Sequence, residues 1–388
     1  MTAPGKPSIC FVQINALGLL TPGAKMPFGG AEVRALTFAR MLIDSGRFRV
    51  SFAVLNEPDL PFPETSKEGL GLFQIPRHAF HSLQANPEIT DLYAGFQADC
   101  FVSLGANEVS YEMTRQARQL GLPAVVGIAS DQSLRDSVFN GSMILNEYLV
   151  PEFHAWEALH RATEVLAQTQ WQKDRLYRQV GRIATLVPNP IPAGWEQERD
   201  APARSGNPAF DFLWVGRPLA DKNPDILFEL ARDMEHATFR MVSNGGLQAL
   251  PEPWRSNLPP NVILSDRLGS QEELRSLMVS SRAMVNTSPL EGFPNLMLQG
   301  AMVGCPTLFL SADPDGWCAD HGCAASAHGD VDRFLALLNR ARRDSAWLDG
   351  LASRAFQRAR TCHSPQAVQQ VLVATMDRVL TEAGKAER

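Results

Sequence analysis

Apolar positions along the first half of the chain switch between two periods. Ile9 to Ile14 is an apolar run of strand length, Ala31 to Ile43 carries apolar residues at helical spacing (Val33, Leu36, Ala39, Leu42), and Arg49 to Leu55 reads as the next strand. The alternation continues through strand Cys100 to Leu104, helix Glu108 to Leu120, strand Ala124 to Ile128, helix Val150 to Arg161 and strand Glu164 to Ala167. It closes near a strand at Thr185 to Val187. Strands alternating with helices predict βαβ units and a parallel sheet. Leu60 to His81, which holds His78 and His81, follows neither period and reads as irregular, with an acceptor loop or a membrane-touching surface as its candidate roles.

Between Pro188 and Pro208 the pattern breaks into Pro, Gly and charge, which sustain neither a helix nor a central strand. Beyond it the alternation restarts: strand Phe210 to Val215, helix Asp225 to Met234, strands Thr238 to Val242 and Asn261 to Leu264, helix Gln271 to Val279, strand Ala283 to Asn286, helix Pro294 to Val303 and strand Thr307 to Leu310. The expected layout is a first domain over 1–190, a linker over 191–207 and a second α/β domain over 208–363. The tail, 364–388, has helical spacing at Val368, Val371, Leu372, Met376 and Val379 and needs a surface to pack on.

Composition agrees with two cores. At 388 residues the chain exceeds what one core usually serves, and 45% hydrophobic with 20% charged residues is ordinary for a globular protein. A net charge of −6 without a basic, aromatic-interleaved cluster argues against nucleic acid as a partner. No apolar run reaches the roughly 20 residues of a membrane span, and Gln13 and Asn15 interrupt the one signal-like stretch, which reads better as a buried first strand. The six scattered cysteines suit reduced thiols in the cytoplasm.

Ligands of parallel α/β folds bind outside the carboxyl ends of strands, so the loops there carry the chemistry. Thr21 to Ala31 follows the first strand and holds Gly29 and Gly30 at a helix start, where bare backbone allows close approach; a plain turn explains them as well. Gly216 to Pro224 follows strand Phe210 to Val215 and sets Arg217 and Lys222 five residues apart ahead of a helix N-terminus, a suitable cradle for a diphosphate. The third loop runs from Asn286 through Glu291 and Pro294 to Met302. Pro294 suits a first helical turn, so Glu291 lies just before the helix and Gln299 projects from its second turn, about 8 to 10 Å away along the axis.

Two rival patterns yield to plainer readings. Asp313-Pro314-Asp315 imitates an Asp-x-Asp metal motif but sits among turn residues. Cys318, His321, Cys323 and His328 lack the paired short knuckle of a zinc site and read as free side chains in a loop. No metal is expected.

In their order along the chain, Gly29-Gly30-Ala31-Glu32, Pro188-Asn189-Pro190, Val215-Gly216-Arg217 with Lys222, and Ser288 to Pro306 resemble the retaining GT-B glycosyltransferases of family 4. The resemblance spans nearly the whole chain. It implies an α/β GT-B fold of two Rossmann-like domains facing a central cleft, an acceptor bound by the first, a nucleotide sugar bound by the second, and a C-terminal helix packed back on the first. By position, Arg217 and Lys222 contact the donor phosphates, Glu291 holds sugar hydroxyls, Gly292, Phe293 and Asn295 offer backbone near the phosphates, and Gly216 and Pro294 belong to the donor site. Gly29 and Gly30 line the active site, and Asn244, Gly245 and Leu268 complete the donor set. The implied donor is a UDP-sugar, with a GDP-sugar as the alternative, and no further cofactor is required. The implied acceptor is a carbohydrate, a lipid-linked molecule or a small molecule, the implied role polysaccharide or glycoconjugate synthesis, and the implied location cytoplasmic or peripheral at the inner face of the membrane.

Two positions depart from the pattern. Where the family carries a second glutamate for the ribose diol this chain has Gln299, an amide that accepts at one end and donates at the other. Where many relatives have an acceptor-side histidine it reads Ala129-Ser130-Asp131, leaving Asp131 either to orient an acceptor hydroxyl or to cap a helix. A GT-B epimerase or phosphorylase, or a catalytically silent nucleotide-sugar-binding subunit, is the alternative reading.

Overall fold

A computed structural model of the chain describes residues 5–20, 29–55, 70–76, 79, 87–139, 152–196, 208–216, 222–243, 250, 252, 254–265 and 270–386. The chain divides into two compact units, Met1–Pro190 with Pro365–Arg388, and Ile191–Ser364.

In the first unit β1 (Ser8–Val12), β2 (Arg49–Leu55), β3 (Gly71–Ile75), β4 (Cys100–Leu104), β5 (Ala124–Gly127), β6 (Glu164–Ala167) and β7 (Thr185–Leu186) form one sheet. Its order is β3-β2-β1-β4-β5-β6-β7, with every neighbouring pair parallel. Both faces are covered, which is why β1 reads as an unbroken apolar run: Cys10 and Val12 enter one core, Ile9 and Phe11 the other. Besides the four-residue helical turns Leu17–Leu20 and Asp136–Phe139, the described helices are α1 (Gly30–Asp44), α2 (Pro87–Gly95), α3 (Glu108–Gln119), α4 (Phe153–Arg161) and α5 (Gln170–Val180). Local chemistry sets their ends: Asn107 Oδ1 accepts from Val109 N and Ser110 N while Ser110 Oγ accepts from Asn107 N, and Gly181 closes α5 at φ 68°.

In the second unit β8 (Phe210–Gly216), β9 (Phe239–Ser243), β10 (Val262–Ser265), β11 (Ser281–Asn286), β12 (Thr307–Phe309) and β13 (Ala325–Ser326) pair in the order β10-β9-β8-β11-β12-β13, again all parallel. Its helices are α6 (Pro224–Asp233), α7 (Gln271–Val279), α8 (Asn295–Met302), α9 (Val331–Arg343) and α10 (Ser345–Cys362). The last helix, α11 (Pro365–Ala386), belongs to the first unit. It buries Val368, Leu372, Met376 and Val379 with Phe38 and Leu42 of α1, and Gln369 Nε2 donates to the Met41 carbonyl at 2.7 Å.

Several sequence expectations change. The stretch read as irregular contains β3, which among the described residues is an edge strand paired only with β2 and half-exposed along most of its length, so it shows neither a buried run nor clean alternation. His78 and His81 lie outside the described residues. Helix α5 was not expected, and only Gln172 and Leu176 of it are buried. The segment read as linker is core at its start, because Ile191 and Trp195 are both 2% exposed among the apolar residues of the second unit. Pro294 stands one residue ahead of α8, extended at φ −67° and ψ 123°, rather than inside its first turn.

Both sheets reverse their winding once, between β1 and β4 in the first unit and between β8 and β11 in the second. At the first reversal a buried side chain finishes the strand ladder. Gln13 Nε2 donates to the Leu104 carbonyl and Gln13 Oε1 accepts from Leu104 N, each at 3.1 Å, so one amide does what another pair of strand residues would do. The same Nε2 donates to Glu32 Oε1 at 3.1 Å, and Glu32 Oε2 accepts from Gly29 N at 2.7 Å. Gln13→Glu removes two donated hydrogen bonds and faces a second carboxylate. It is expected to destabilise the protein by about 2–4 kcal/mol at neutral pH. Because the neighbouring carboxylate raises the pKa of the new acid in the folded state, part of that loss should return as pH falls. Urea denaturation across pH checks it, and an unchanged midpoint would count against the bridging role of Gln13.

Candidate functional site

The reversal in the second unit sets the loops after β8 and β11 side by side, since both strands end at the same edge of the sheet. Lys222 follows β8 and Glu291 follows β11. Lys222 Nζ lies 2.7 Å from Glu291 Oε1, and Asn286 Nδ2 donates to the same oxygen at 3.1 Å. Among the described residues Glu291 Oε2 takes no hydrogen bond, and Lys222 Nζ gives only the one to Glu291. A carboxylate oxygen and two ammonium N–H groups therefore remain for a ligand.

The loops are joined through Thr287, which is fully buried. Its Oγ1 donates to the Lys222 carbonyl at 2.5 Å and accepts from Trp214 Nε1 at 3.0 Å. Trp214 also explains Gly216: a Cβ there would come within 2.8 Å of Trp214 Cη2, so the indole requires a glycine beside it. Asn223, at φ 43°, turns the chain into α6, whose first residue is Pro224.

The glutamate loop leads to α8, which has no acidic side chain in its first turn and so presents an uncancelled positive helix end. Gly292 and Phe293 are buried, and Pro294 and Asn295 are half-buried. Phe293 anchors the segment: its ring stacks on His363 at 4.6 Å and meets Trp317 edge-on at 5.6 Å. Gln299, 6% exposed, donates from Nε2 to Gln271 Oε1 at 2.9 Å, and that oxygen also accepts from Trp195 Nε1 at 3.3 Å. The amide at 299 thus has a donor's task within the protein that a glutamate could not perform.

In the first unit Gly29 precedes α1 and Gly30 begins it, with Glu32 holding the Gly29 N–H. Asp131 is not the cap of its turn. Ser130 Oγ accepts from Gln132 N, while Asp131 Oδ1 accepts from Gln172 Nε2 at 2.8 Å. Gln172 is itself fixed, its Oε1 accepting from Gln168 N at 2.8 Å. Beneath this loop the buried Arg34 donates to the carbonyls of Ile128 and Val187 at 3.2 and 2.7 Å, and burial lowers its guanidinium to about 9.

Thus Lys222 and Glu291 meet directly, Phe293 and Gln299 are each anchored by other side chains of the second unit, and Gly29, Gly30 and Asp131 belong to the first. Arg217, Asn244, Gly245 and Leu268 lie outside the described residues. Trp195, Trp214, Gln271, Asn286 and Thr287 were missed as supports. For Trp214, Gln271, Asn286 and Thr287 the signal in sequence was position near a strand end or a helix start; Trp195 fell in the segment read as linker and had none. Asp313 of the Asp-x-Asp imitation caps a turn, accepting from Cys318 N at 2.7 Å and Ala319 N at 3.0 Å.

Neither a protein-family model nor a curated protein sequence matches the chain. Solved structures do. The chain is similar to a sucrose-phosphate synthase from Thermosynechococcus elongatus, with a TM-score of 0.75 at 13% identity over 97% of this chain and 100% of that one. It is similar to Anabaena HepE in complex with UDP-glucose, with a TM-score of 0.68 at 14% identity over 96% of this chain and 99% of that one. It is also similar to WaaG, a glycosyltransferase involved in lipopolysaccharide biosynthesis, with a TM-score of 0.62 at 15% identity over 94% of this chain and 99% of that one. With both parallel sheets wound in the Rossmann order and both units matched end to end, the chain has the GT-B fold.

Proposed function

We propose that the protein is a retaining glycosyltransferase of the family 4 kind, moving a sugar from a nucleoside diphosphate to an acceptor hydroxyl. The observation that carries this reading is the Lys222–Glu291 pair at the β8–β11 reversal, next to the N-terminus of α8. Lys222, with Arg217 on the same loop, holds the diphosphate, and Glu291 Oε2 accepts from a sugar hydroxyl. The second unit takes the donor and the first takes the acceptor, with Asp131 orienting the acceptor hydroxyl. The UDP-glucose complex of HepE supports a UDP-sugar as donor.

In the proposed reaction the acceptor hydroxyl attacks the face the nucleotide is leaving. The bond from the sugar to the phosphate oxygen breaks, the new glycosidic bond forms, and the departing phosphate takes the proton. No separate base is needed. The protein's contribution is to stabilise charge on the leaving diphosphate through Lys222, Arg217 and the helix end. A nucleotide-release screen over UDP-, GDP- and ADP-sugars, with and without acceptors, tests it: release that needs an acceptor supports transfer, while binding without release supports a silent subunit, the reading Gln299 favours.

Arg217→Ala is expected to lower turnover on the order of 100-fold at saturating donor, the scale for losing one such group. Unchanged turnover in steady-state kinetics would sink that role. Gln299→Glu is expected to keep or raise nucleotide affinity, because a carboxylate accepts from both ribose hydroxyls. It should also cost about 1 kcal/mol of stability, since Gln271 must turn its amide and leave the Trp195 indole N–H without its acceptor. Calorimetry with UDP and GDP, beside thermal unfolding, reads both effects. A large loss of affinity would mean that the amide itself is required.

A further inference from the structure

A concave site on the second unit shares no residue with the donor loops. Helix α10 presents Arg354, Gln357, Arg358, Thr361 and Cys362, spaced as one helical face, and His321 and Cys323 close the opposite side. The cavity is about 280 Å³. Among the described residues none that lines it is acidic, so two guanidiniums one turn apart face the same space without a described carboxylate to offset them. Like charges at this spacing repel each other, a cost that a bound anion removes.

The two arginines are held differently. Arg354 Nε donates to the Gly322 carbonyl at 2.7 Å. Gly322 has φ +58°, and a Cβ on it would sit 3.1 Å from Arg354 Nε, so the loop is shaped to let the guanidinium lie against bare backbone. Arg358 has no such tie: its Nε is buried and takes no hydrogen-bond partner among the described residues. A buried, unpaired guanidinium N–H is costly, and the fork geometry of arginine matches phosphate oxygens. The Gln357 amide adds a neutral donor and acceptor, and Thr361, whose hydroxyl donates to the Gln357 carbonyl at 2.9 Å, adds an acceptor suited to a hydroxyl. His321 and Cys323, which spacing alone raises as metal-ligand candidates, thus border a positively charged space that disfavours a cation.

We propose that this pocket binds a phosphate monoester, its oxygens taken by Arg354 and Arg358 and its small polar body by Thr361 and Gln357. The volume, near the lower end for ligand pockets, suits a compact phosphorylated molecule or a phosphate-monoester lipid headgroup.

Cys362 supplies a readout confined to this site, because it lines the pocket and is part-exposed, whereas the donor loops contain no cysteine. The full-length protein, kept in excess UDP to occupy any nucleotide site, is titrated with glycerol 3-phosphate. Alkylation of Cys362 is followed by mass spectrometry, with calorimetry alongside. The expected result is saturable protection of Cys362 together with binding heat. Arg358→Gln should weaken both about 10- to 100-fold, the scale for losing a charge-assisted hydrogen bond. Because Arg358 makes no hydrogen bond within the described protein, that variant is expected to fold, which circular dichroism checks. Arg354→Lys, which keeps the charge and loses the fork, provides a second variant and should weaken binding less. Protection by phosphatidic acid vesicles but not by glycerol 3-phosphate or phosphatidylcholine vesicles would identify the lipid headgroup as the source. Absence of protection by every phosphate monoester, or equal protection in wild type and Arg358→Gln, would overturn the proposal.

Discussion

Parallel winding is the constraint on which the rest of this structure depends. When every strand of a sheet runs the same way, all strand-to-helix loops emerge at one edge, and where the winding reverses two neighbouring loops lead into helices on opposite faces. That is how Lys222 and Glu291, 69 residues apart, come within 2.7 Å. No local preference in either loop would bring them together. The pairing of β8 with β11 does so, and the buried hydroxyl of Thr287 holds the arrangement by tying one loop's carbonyl to the root of the other.

The same edge presents a difficulty that the protein meets with side chains. Strand ladders stop there, leaving backbone N–H and C=O groups that must find partners if they are buried. Gln13 supplies both partners for Leu104, Arg34 serves the carbonyls of Ile128 and Val187, and Thr287 serves Lys222. Each of these polar side chains also reaches another element, so satisfying the backbone and fixing the loops are one event. Arg34 is the costly case. Among the described residues no carboxylate pairs with its buried guanidinium, and desolvation lowers its pKa while two carbonyls and the face of Phe38 compensate in part.

Charge is handled in two ways in the second unit. At the reversal, cation and carboxylate neutralise one another while each keeps unused hydrogen-bonding capacity. On α10 the two arginines face a cavity whose lining, among the described residues, offers no opposite charge. A paired site tolerates being empty. An unpaired one is stabilised by an anion, which is the physical basis for regarding the two as different kinds of site.

Much of the architecture was legible in the chain. Strands covered on both faces are mainly apolar, so β1, β4 and the apolar centres of β8 and β11 announced themselves, and the Pro- and Gly-rich break between Pro188 and Pro208 separated two series of βαβ units. Loops after strands pointed to Lys222, Glu291 and Gln299, and Asp313 was readable as a turn residue. Two unread elements have little buried surface: β3 sits at a sheet edge and α5 buries two side chains, so neither imposes a period, whereas α9 and α10 bury Phe334, Leu338, Leu348, Leu351 and Phe356 and went unread despite their helical spacing. Partnerships were equally hidden. That Gln299 answers to Gln271, that Asp131 is held by Gln172, and that Gly216 makes room for Trp214 are facts about residues distant in sequence. The sequence by itself determined the period of each element and the residue types at each loop, because burial and backbone preference act locally. Only the tertiary structure decided which polar groups meet, because hydrogen bonds and ion pairs depend on distances that strand order creates.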